Sequence, residues 1–258
     1  MNIDNMIGIV GGVGPYTGID LARKICDQTI AAYDQEHLPV AFISPPNKIS
    51  DRSSFLLHQT DVNPAYAIFE VIKRLEQLGA RVIGIPCNSS HASPIFDVIC
   101  EKMSQSHISA AIVHMVKEVA AFIHEYYPSK RDIGVLCTTG SYKIKLFQKI
   151  LEPRGMNVIM PSELLQESLV QKSIFDPQYG IKAQTIPVTE IARNKLREAI
   201  DYLIERGAEA IVLGCSEIPL AITEKEIAKT PIIDPTLVLA RALIKAVDPN
   251  KLKPYNKL

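Results

Sequence analysis

The sequence predicts an α/β protein of two pseudo-symmetric lobes, each a parallel sheet flanked by helices, with an active site in the cleft between them. Three observations lead there. First, short apolar runs alternate with longer segments of helical period along the chain, the pattern of parallel strands covered on both faces. Second, IGIVGGVGPY (Ile7 to Tyr16) is echoed by IGVLCTTGSY (Ile133 to Tyr142), an offset of 133 − 7 = 126. Third, GARVIGIPCNS (Gly79 to Ser89) is echoed by GAEAIVLGCSE (Gly207 to Glu217), an offset of 207 − 79 = 128, close to half the chain. A weaker match sets AIVHMVKEVA, from Ala111, against PIIDPTLVLA, from Pro231, at 231 − 111 = 120. The lobes expected from these repeats are 1–110 plus 224–258, and 111–223.

In chain order, strands are expected at 6–10, 39–43, 82–86, 108–113, 132–137, 157–160, 210–214 and 231–233, where β-branched and other apolar residues cluster. Helices are expected at 16–33, 64–78, 91–102, 114–127, 141–152, 162–171, 188–206, 217–221 and 235–246. The segment 64–78 shows the reasoning best. Ile68, Val71, Ile72, Leu75 and Leu78 recur at helical spacing and form one core-facing stripe.

Bulk properties exclude several classes. The chain has 258 residues, and 28 Lys and Arg balance 28 Asp and Glu, so neither nucleic acid nor an anionic membrane is an expected partner. No stretch approaches the ~20 apolar residues of a membrane helix. The opening MNIDNMIGIV lacks the basic region and cleavage site of a signal peptide, so a cytoplasmic location is expected. The five cysteines (Cys26, Cys87, Cys100, Cys137 and Cys215) form neither an even framework nor a CxxC, which argues for free thiols and against a zinc site.

Two of those thiols stand out. Cys87 and Cys215 occupy equivalent places in the repeat, each just beyond an apolar strand. Ligands of parallel sheets bind outside the carboxyl ends of the strands. Asn88, Ser89 and Ser90 follow the first thiol, Ser216 and Glu217 the second, and Asn and Ser are common helix caps. A helix start would lower each thiol's pKa. A thiolate on one face of a carbon and a thiol on the other would move a proton across a stereocentre. The glycines of GGVGPYTG do not fit a dinucleotide fingerprint or a P-loop and are read as a tight turn lining the cleft. His91, four residues after Cys87, is read as a surface or capping histidine; Cys137, Cys26 and Cys100 are read as structural.

IPCNSSH and LGCSEI resemble the paired cysteine motifs of the cofactor-independent aspartate/glutamate racemase family. The resemblance extends to MIGIVGGVGP, DQEHLPV, the DRS of Asp51 to Ser53, and IIDPT, and lies nearest the aspartate racemase side. It implies a two-lobed racemase without pyridoxal phosphate or metal, usually a homodimer, whose C-terminal segment folds back onto the first lobe. It assigns proton transfer to Cys87 and Cys215. It assigns substrate contacts to Arg52, Asn88, Ser89, Thr138, Thr139, Lys182, Ser216 and Glu217. Gly12 is the pseudo-symmetric counterpart of Thr138. Arg52 would receive a side-chain carboxylate, and Glu217 would tune Cys215. NSS in place of NTA, and GCSE in place of GCTE, fall near these contacts. Aspartate is therefore the expected substrate, with glutamate or a broader set open. A related isomerase, hydantoin racemase or decarboxylase, a non-catalytic amino-acid-binding protein, and a thiol redox sensor are the alternatives.

Overall fold

Strand β1 (Met6–Val10) is buried along its whole length, as a central parallel strand of β-branched residues should be. The computed structural model describes residues 5–255. Around β1 the chain builds a sheet in the order β2-β1-β3-β4, all parallel, from β2 (Val40–Ile43), β3 (Ala80–Gly84) and β4 (Ala111–Val113). A second sheet has the order β6-β5-β7-β9-β8, built from β5 (Asp132–Leu136), β6 (Asn157–Ile159), β7 (Ala210–Leu213), β8 (Glu226–Ile227) and β9 (Thr230–Ile233). Only the short β8 runs antiparallel there.

The chain divides into two compact units. One runs through Glu118 and takes in the chain again from Thr236 on; the other is Val119–Pro235. Relative to the lobes expected from the repeats, β4 stays with the first unit because it pairs with β3. The segment containing β8 and β9 stays with the second because β9 pairs with β7.

The registers carry the repeat into three dimensions. Ile7 pairs with Val82 in the first sheet, and Ile133 with Ala210 in the second. Ile83 pairs with Ile112, and Ile211 with Ile232. These partners stand at the offsets 126, 128 and 120 read from the sequence. The glycines inside β1 and β5 repeat the packing as well. A Cβ on Gly8 would meet Ala80 at 2.9 Å, with Ile83 and Leu75 next; one on Gly134 would meet Ile211 at 2.6 Å, with Ala208 and Leu203 next. Each trio is the other displaced by 128 residues, so the same strand-to-helix approach is used twice.

Helices cover the sheets. In the first unit they are α1 (Pro15–Gln28), α2 (Arg52–Leu56), α3 (Ala65–Gln77) and α4 (Ser93–Gln105). Helix α5 (Met115–Tyr126) leads out of that unit. The second unit has α6 (Thr139–Lys143), α7 (Leu146–Leu151), α8 (Glu163–Leu165), α9 (Lys172–Phe175), α10 (Glu190–Glu205) and α11 (Ile218–Ala221), and α12 (Pro235–Val247) returns to the first. Ile68, Val71, Ile72 and Leu75 of α3 are buried as their spacing requires, whereas Leu78, just past the last turn, is 56% exposed. Helix α1 stops short of the expected 33. Thr29 instead bridges Leu252, and Ile30 N–H bonds Lys251 O at 2.7 Å, so the C-terminal segment lies against the first unit. Among the described residues no helix is long and apolar enough to cross a membrane.

Candidate active site

The sequence-predicted residues fall into two groups, one at the carboxyl end of each sheet. In the first unit β3 runs out through Ile85 and Pro86 into Cys87, which is extended, buried and followed by a 3-10 turn, Asn88–His91. Cys87 N–H bonds Ile85 O at 2.8 Å, and Thr17 Oγ1 donates to Pro86 O at 3.1 Å. Asn88 is 1% exposed, and neither its Nδ2 nor its Oδ1 has a hydrogen-bond partner among the described residues. Leaving such an amide dry and unpaired costs about 1–3 kcal/mol per group, so it is a standing invitation to a polar ligand.

The Gly11–Gly14 turn after β1 lies at the same end. Gly12 has φ +76°, and a Cβ there would come within 2.9 Å of the Pro45–Pro46 backbone. Arg52 enters from the start of α2, whose N-terminus is capped by Asp51 accepting from Ser54 N–H. Its Nη1 donates to Ser50 O at 3.1 Å and its Nη2 to Val13 O. The guanidinium is therefore buried and bound to the turn that carries Gly12 and Val13.

His91 is not on the surface as the sequence suggested; it is 2% exposed. Its Nε2 lies 3.1 Å from Ile85 O, the carbonyl that also receives Cys87 N–H, and its ring packs against Phe96 and His114. Burial, and after it the charge of His114, pushes its pKa down to about 3, so the ring is neutral near neutral pH. Its Nε2 therefore donates and pins the strand exit that presents Cys87.

In the second unit β7 ends at Leu213 and leads through Gly214 to Cys215, which is 5% exposed. Gly214 is required there because a Cβ would lie 2.7 Å from the Phe147 ring. The Cys215 thiol donates to Glu217 Oε2 at 2.9 Å, and Lys182 Nζ donates to Glu217 Oε1 at 2.6 Å while lying over the Phe175 ring. The helix start expected to lower this thiol's pKa is outweighed. Helix α11 is one short turn, and burial first, then the Glu217 charge, hold Cys215 well above the ordinary thiol range; Lys182 opposes them. Ser216 is buried beside it.

At the end of β5, Thr138 caps α6 and accepts from Ser141 N–H. Thr139 is held by a wide π-helical turn, Gln166–Gln171, between α8 and α9. Its N–H donates to Gln171 Oε1 at 2.9 Å, and its hydroxyl to Glu167 Oε1 at 2.7 Å. Gln166, 1% exposed, donates Nε2 to Cys137 O at 2.9 Å. The sequence reading missed all three of these residues. Cys137 is fully buried, and burial pushes its pKa far up. Ser89 is buried beside Asn88. Among the described residues no group of three or more His, Cys, Asp or Glu could hold a metal ion.

The comparison with known proteins accounts for this doubled arrangement. The sequence profile of the Asp/Glu/hydantoin racemase family matches residues 10–243. The chain belongs to that family. Racemases are isomerases, and this chain is an enzyme of that class. It is 24% identical over 246 residues to the broad specificity amino-acid racemase RacX of Bacillus subtilis, covering 93% of this chain and 96% of that protein. The aspartate racemase of Picrophilus torridus superposes with a TM-score of 0.78 at 25% identity, over 94% of each chain. The glutamate racemase of Francisella tularensis superposes with a TM-score of 0.63 at 14% identity, over all of this racemase-family chain and 86% of that one, a likeness of fold alone.

Proposed function

We propose that this racemase interconverts L- and D-aspartate without a cofactor, with Cys87 and Cys215 as its two proton-transfer groups. The observation that carries the reading is topological. Each thiol stands beyond the strand that pairs with the first strand of its sheet in chain order, β3 with β1 and β7 with β5, at matching positions of a repeat. Two equivalent acid–base groups suit a reaction whose forward and reverse directions are mirror images.

In one direction a Cys215 thiolate removes the Cα proton and the Cys87 thiol returns one from the opposite face; in the other the roles exchange. The Cα–H bond breaks, its electron pair delocalises into the α-carboxylate, and a new Cα–H bond forms from the second thiol. Glu217 supports this sequence because it already accepts the Cys215 hydrogen bond and is the base to which that proton passes. Lys182 balances the carboxylate. Asn88, whose two amide atoms are buried with no hydrogen-bond partner among the described residues, offers a donor to a substrate carboxylate. Arg52 supplies the cation that favours a dicarboxylic substrate. Ser89, Ser216, Thr138, Thr139 and Gly12 complete the binding surfaces. A homodimer and a cytoplasmic location belong to the same reading and rest on the resemblance of the motifs.

The test is incubation of the reduced protein with L- and D-aspartate in D₂O without added cofactor. The expected result is loss of optical rotation together with deuterium incorporation at Cα. Cys87→Ser and Cys215→Ser are each expected to reduce turnover at least a thousandfold in a folded protein. Near wild-type turnover by either variant would overturn the two-thiol mechanism. No exchange with any amino acid would move the function to another reaction of the family.

A further inference from the structure

We propose that Gln166 is a positioning residue of the second unit: its buried amide N–H holds the exit of β5 in the place that sets the surroundings of Cys215. The inference rests on the racemase reading above and adds to it a residue that acts through the backbone.

The geometry is local to one unit. β5 and β7 pair as far as Leu136 and Leu213. Just past that pair Gly214 packs so closely that a Cβ on it would come within 3.0 Å of Leu136 O. The next residues are Cys137 on one strand exit and Cys215 on the other. The Cys137 carbonyl lies beyond the last strand pair, and Gln166 supplies its donor, Nε2 to O at 2.9 Å. The same nitrogen lies 3.5 Å from Thr139 Oγ1, and Gln171 Oε1 takes the Thr139 N–H at 2.9 Å. Leu169 and Val170, between the two glutamines, belong to the same buried cluster as Leu136 and Cys215. The π turn thus shares the core beneath Cys215 through its apolar residues and grips the neighbouring strand exit with its amides.

Three features mark this as more than packing. The first is cost. Gln166 is buried, and its Oε1 has no hydrogen-bond partner among the described residues. An apolar side chain would fill the space without that penalty, so what glutamine supplies in return is its N–H. A carbonyl only accepts, which also fixes which end of the amide is nitrogen. The second is the backbone. Gln166 and Gln171 are five residues apart, the period of a π turn, and both reach the Cys137–Thr139 segment; such turns recur at functional sites. The third is the repeat. Val13 stands 126 residues before Thr139, and its carbonyl is held by Arg52. In each unit the clamp comes from the helical segment that follows the edge strand, β2 or β6. The repeat keeps a clamp on the turn after its first strand and changes the residue that makes it.

The experiment uses Gln166→Met and Gln166→Glu. Methionine matches glutamine in length and removes both the donor and the unpartnered oxygen, so the fold is expected to persist; melting curves at each pH check it. A carboxyl at this position donates to Cys137 O only while protonated, and once ionised it turns lone pairs toward a carbonyl. The readout is turnover of aspartate relative to wild type across the pH range in which both fold. The expected ratio for Gln166→Met is about a tenth or less and flat with pH. That for Gln166→Glu is expected near one at the acid end, approaching the methionine value as the carboxyl ionises. A scaffold residue would move the melting temperature and give no such limb. A ratio near one for Gln166→Met, or equally low and flat ratios for both variants, would overturn the proposal. A Gln166→Glu ratio near one throughout, with Gln166→Met low, supports it, because burial keeps that carboxyl protonated. Labelling of Cys215 by iodoacetamide, followed by peptide mass, is independent of turnover. If no amino acid is racemised, the racemase reading fails. A labelling rate in folded Gln166→Met that differs roughly threefold or more from wild type still supports the placement, and an unchanged rate rejects it.

Discussion

The Cys215 thiol and the Glu217 carboxylate are joined by a hydrogen bond of 2.9 Å, and Lys182 holds the other oxygen of that carboxylate at 2.6 Å. The thiol is the donor, so the proton that must leave for Cys215 to act as a base already points at its acceptor. Lys182 is 27% exposed and Glu217 8%, so the pair is shielded from solvent on the carboxylate side. Glu217→Gln keeps an oxygen beside the thiol but removes its ability to take the proton. The expected effect is a fall in kcat of about 100-fold, the lower end of what positioned acid–base groups contribute, with KM changed far less. Lys182→Met should lower kcat by a smaller factor, because it leaves the carboxylate uncompensated and the thiol pKa higher still. Progress curves from each enantiomer measure both, and a melting curve checks the fold.

The direction of the Cys215 shift gives a pH prediction. A thiol held above its unfolded value keeps its proton longer in the folded state. Its stabilising contribution is whole below the ordinary thiol pKa of about 8.5 and is lost as pH rises through the folded value. Wild type should therefore lose melting temperature on the alkaline side faster than Cys215→Ser. Alkylation of Cys215 by iodoacetamide in the folded protein should likewise rise with pH only above the ordinary thiol range. Rapid labelling of Cys215 at neutral pH would contradict the burial described above.

Apart from the two-residue β8, the strands were legible in the sequence, as were the repeat and the two cysteines, because each rests on local pattern. A buried parallel strand must be apolar, and a duplicated unit must repeat its glycines and thiols at one spacing. Helix α2 was not legible, since five residues are too few to show a period and its only signal is the Asp51 cap. The π turn hid for the opposite reason. Its buried residues, Gln166, Leu169, Val170, Ser173 and Ile174, keep the spacings of three and four that an ordinary helix also gives, so nothing in the pattern marks the wider turn. The sense of the Cys215 shift was out of reach because it depends on where the Glu217 side chain folds. So was the burial of His91, which is enclosed by Phe96 and by His114, a residue far along the chain.

Arg52 joins the substrate question to the scaffold. Both terminal nitrogens donate to backbone carbonyls, of Ser50 and Val13, so the residue ties the start of α2 to the Gly12–Val13 turn. Arg52→Ala removes a charged donor from each carbonyl and should cost roughly 1.5–3 kcal/mol of stability, read by urea unfolding. If the guanidinium also receives a side-chain carboxylate, kcat/KM for aspartate should fall at least tenfold further than that for alanine or serine. An equal loss on all three would leave Arg52 with the scaffold role alone. Arg52→Lys should recover the charge but not the two-carbonyl grip, restoring part of the aspartate preference in a protein that remains less stable.

His91 sets the acid limit of the first unit. Its ordinary pKa of 6.5 is pushed down to about 3 by burial, with the His114 and Lys117 charges acting in the same sense and the Ile85 contact opposing them. An unfolded chain binds a proton at this position below pH 6.5 while the folded chain refuses it, so the stabilising contribution is whole above that pH. It is lost as pH falls toward about 3, at a rate of up to about 1.4 kcal/mol per pH unit. His91→Gln keeps a donor for Ile85 O but loses the ring contacts with Phe96 and His114. It should be less stable than wild type at pH 7, and the gap should narrow steadily between pH 6 and pH 4 because glutamine does not titrate. Urea unfolding of both proteins at stepped pH measures that gap, and a gap constant with pH would mean that His91 takes up its proton without leaving the fold.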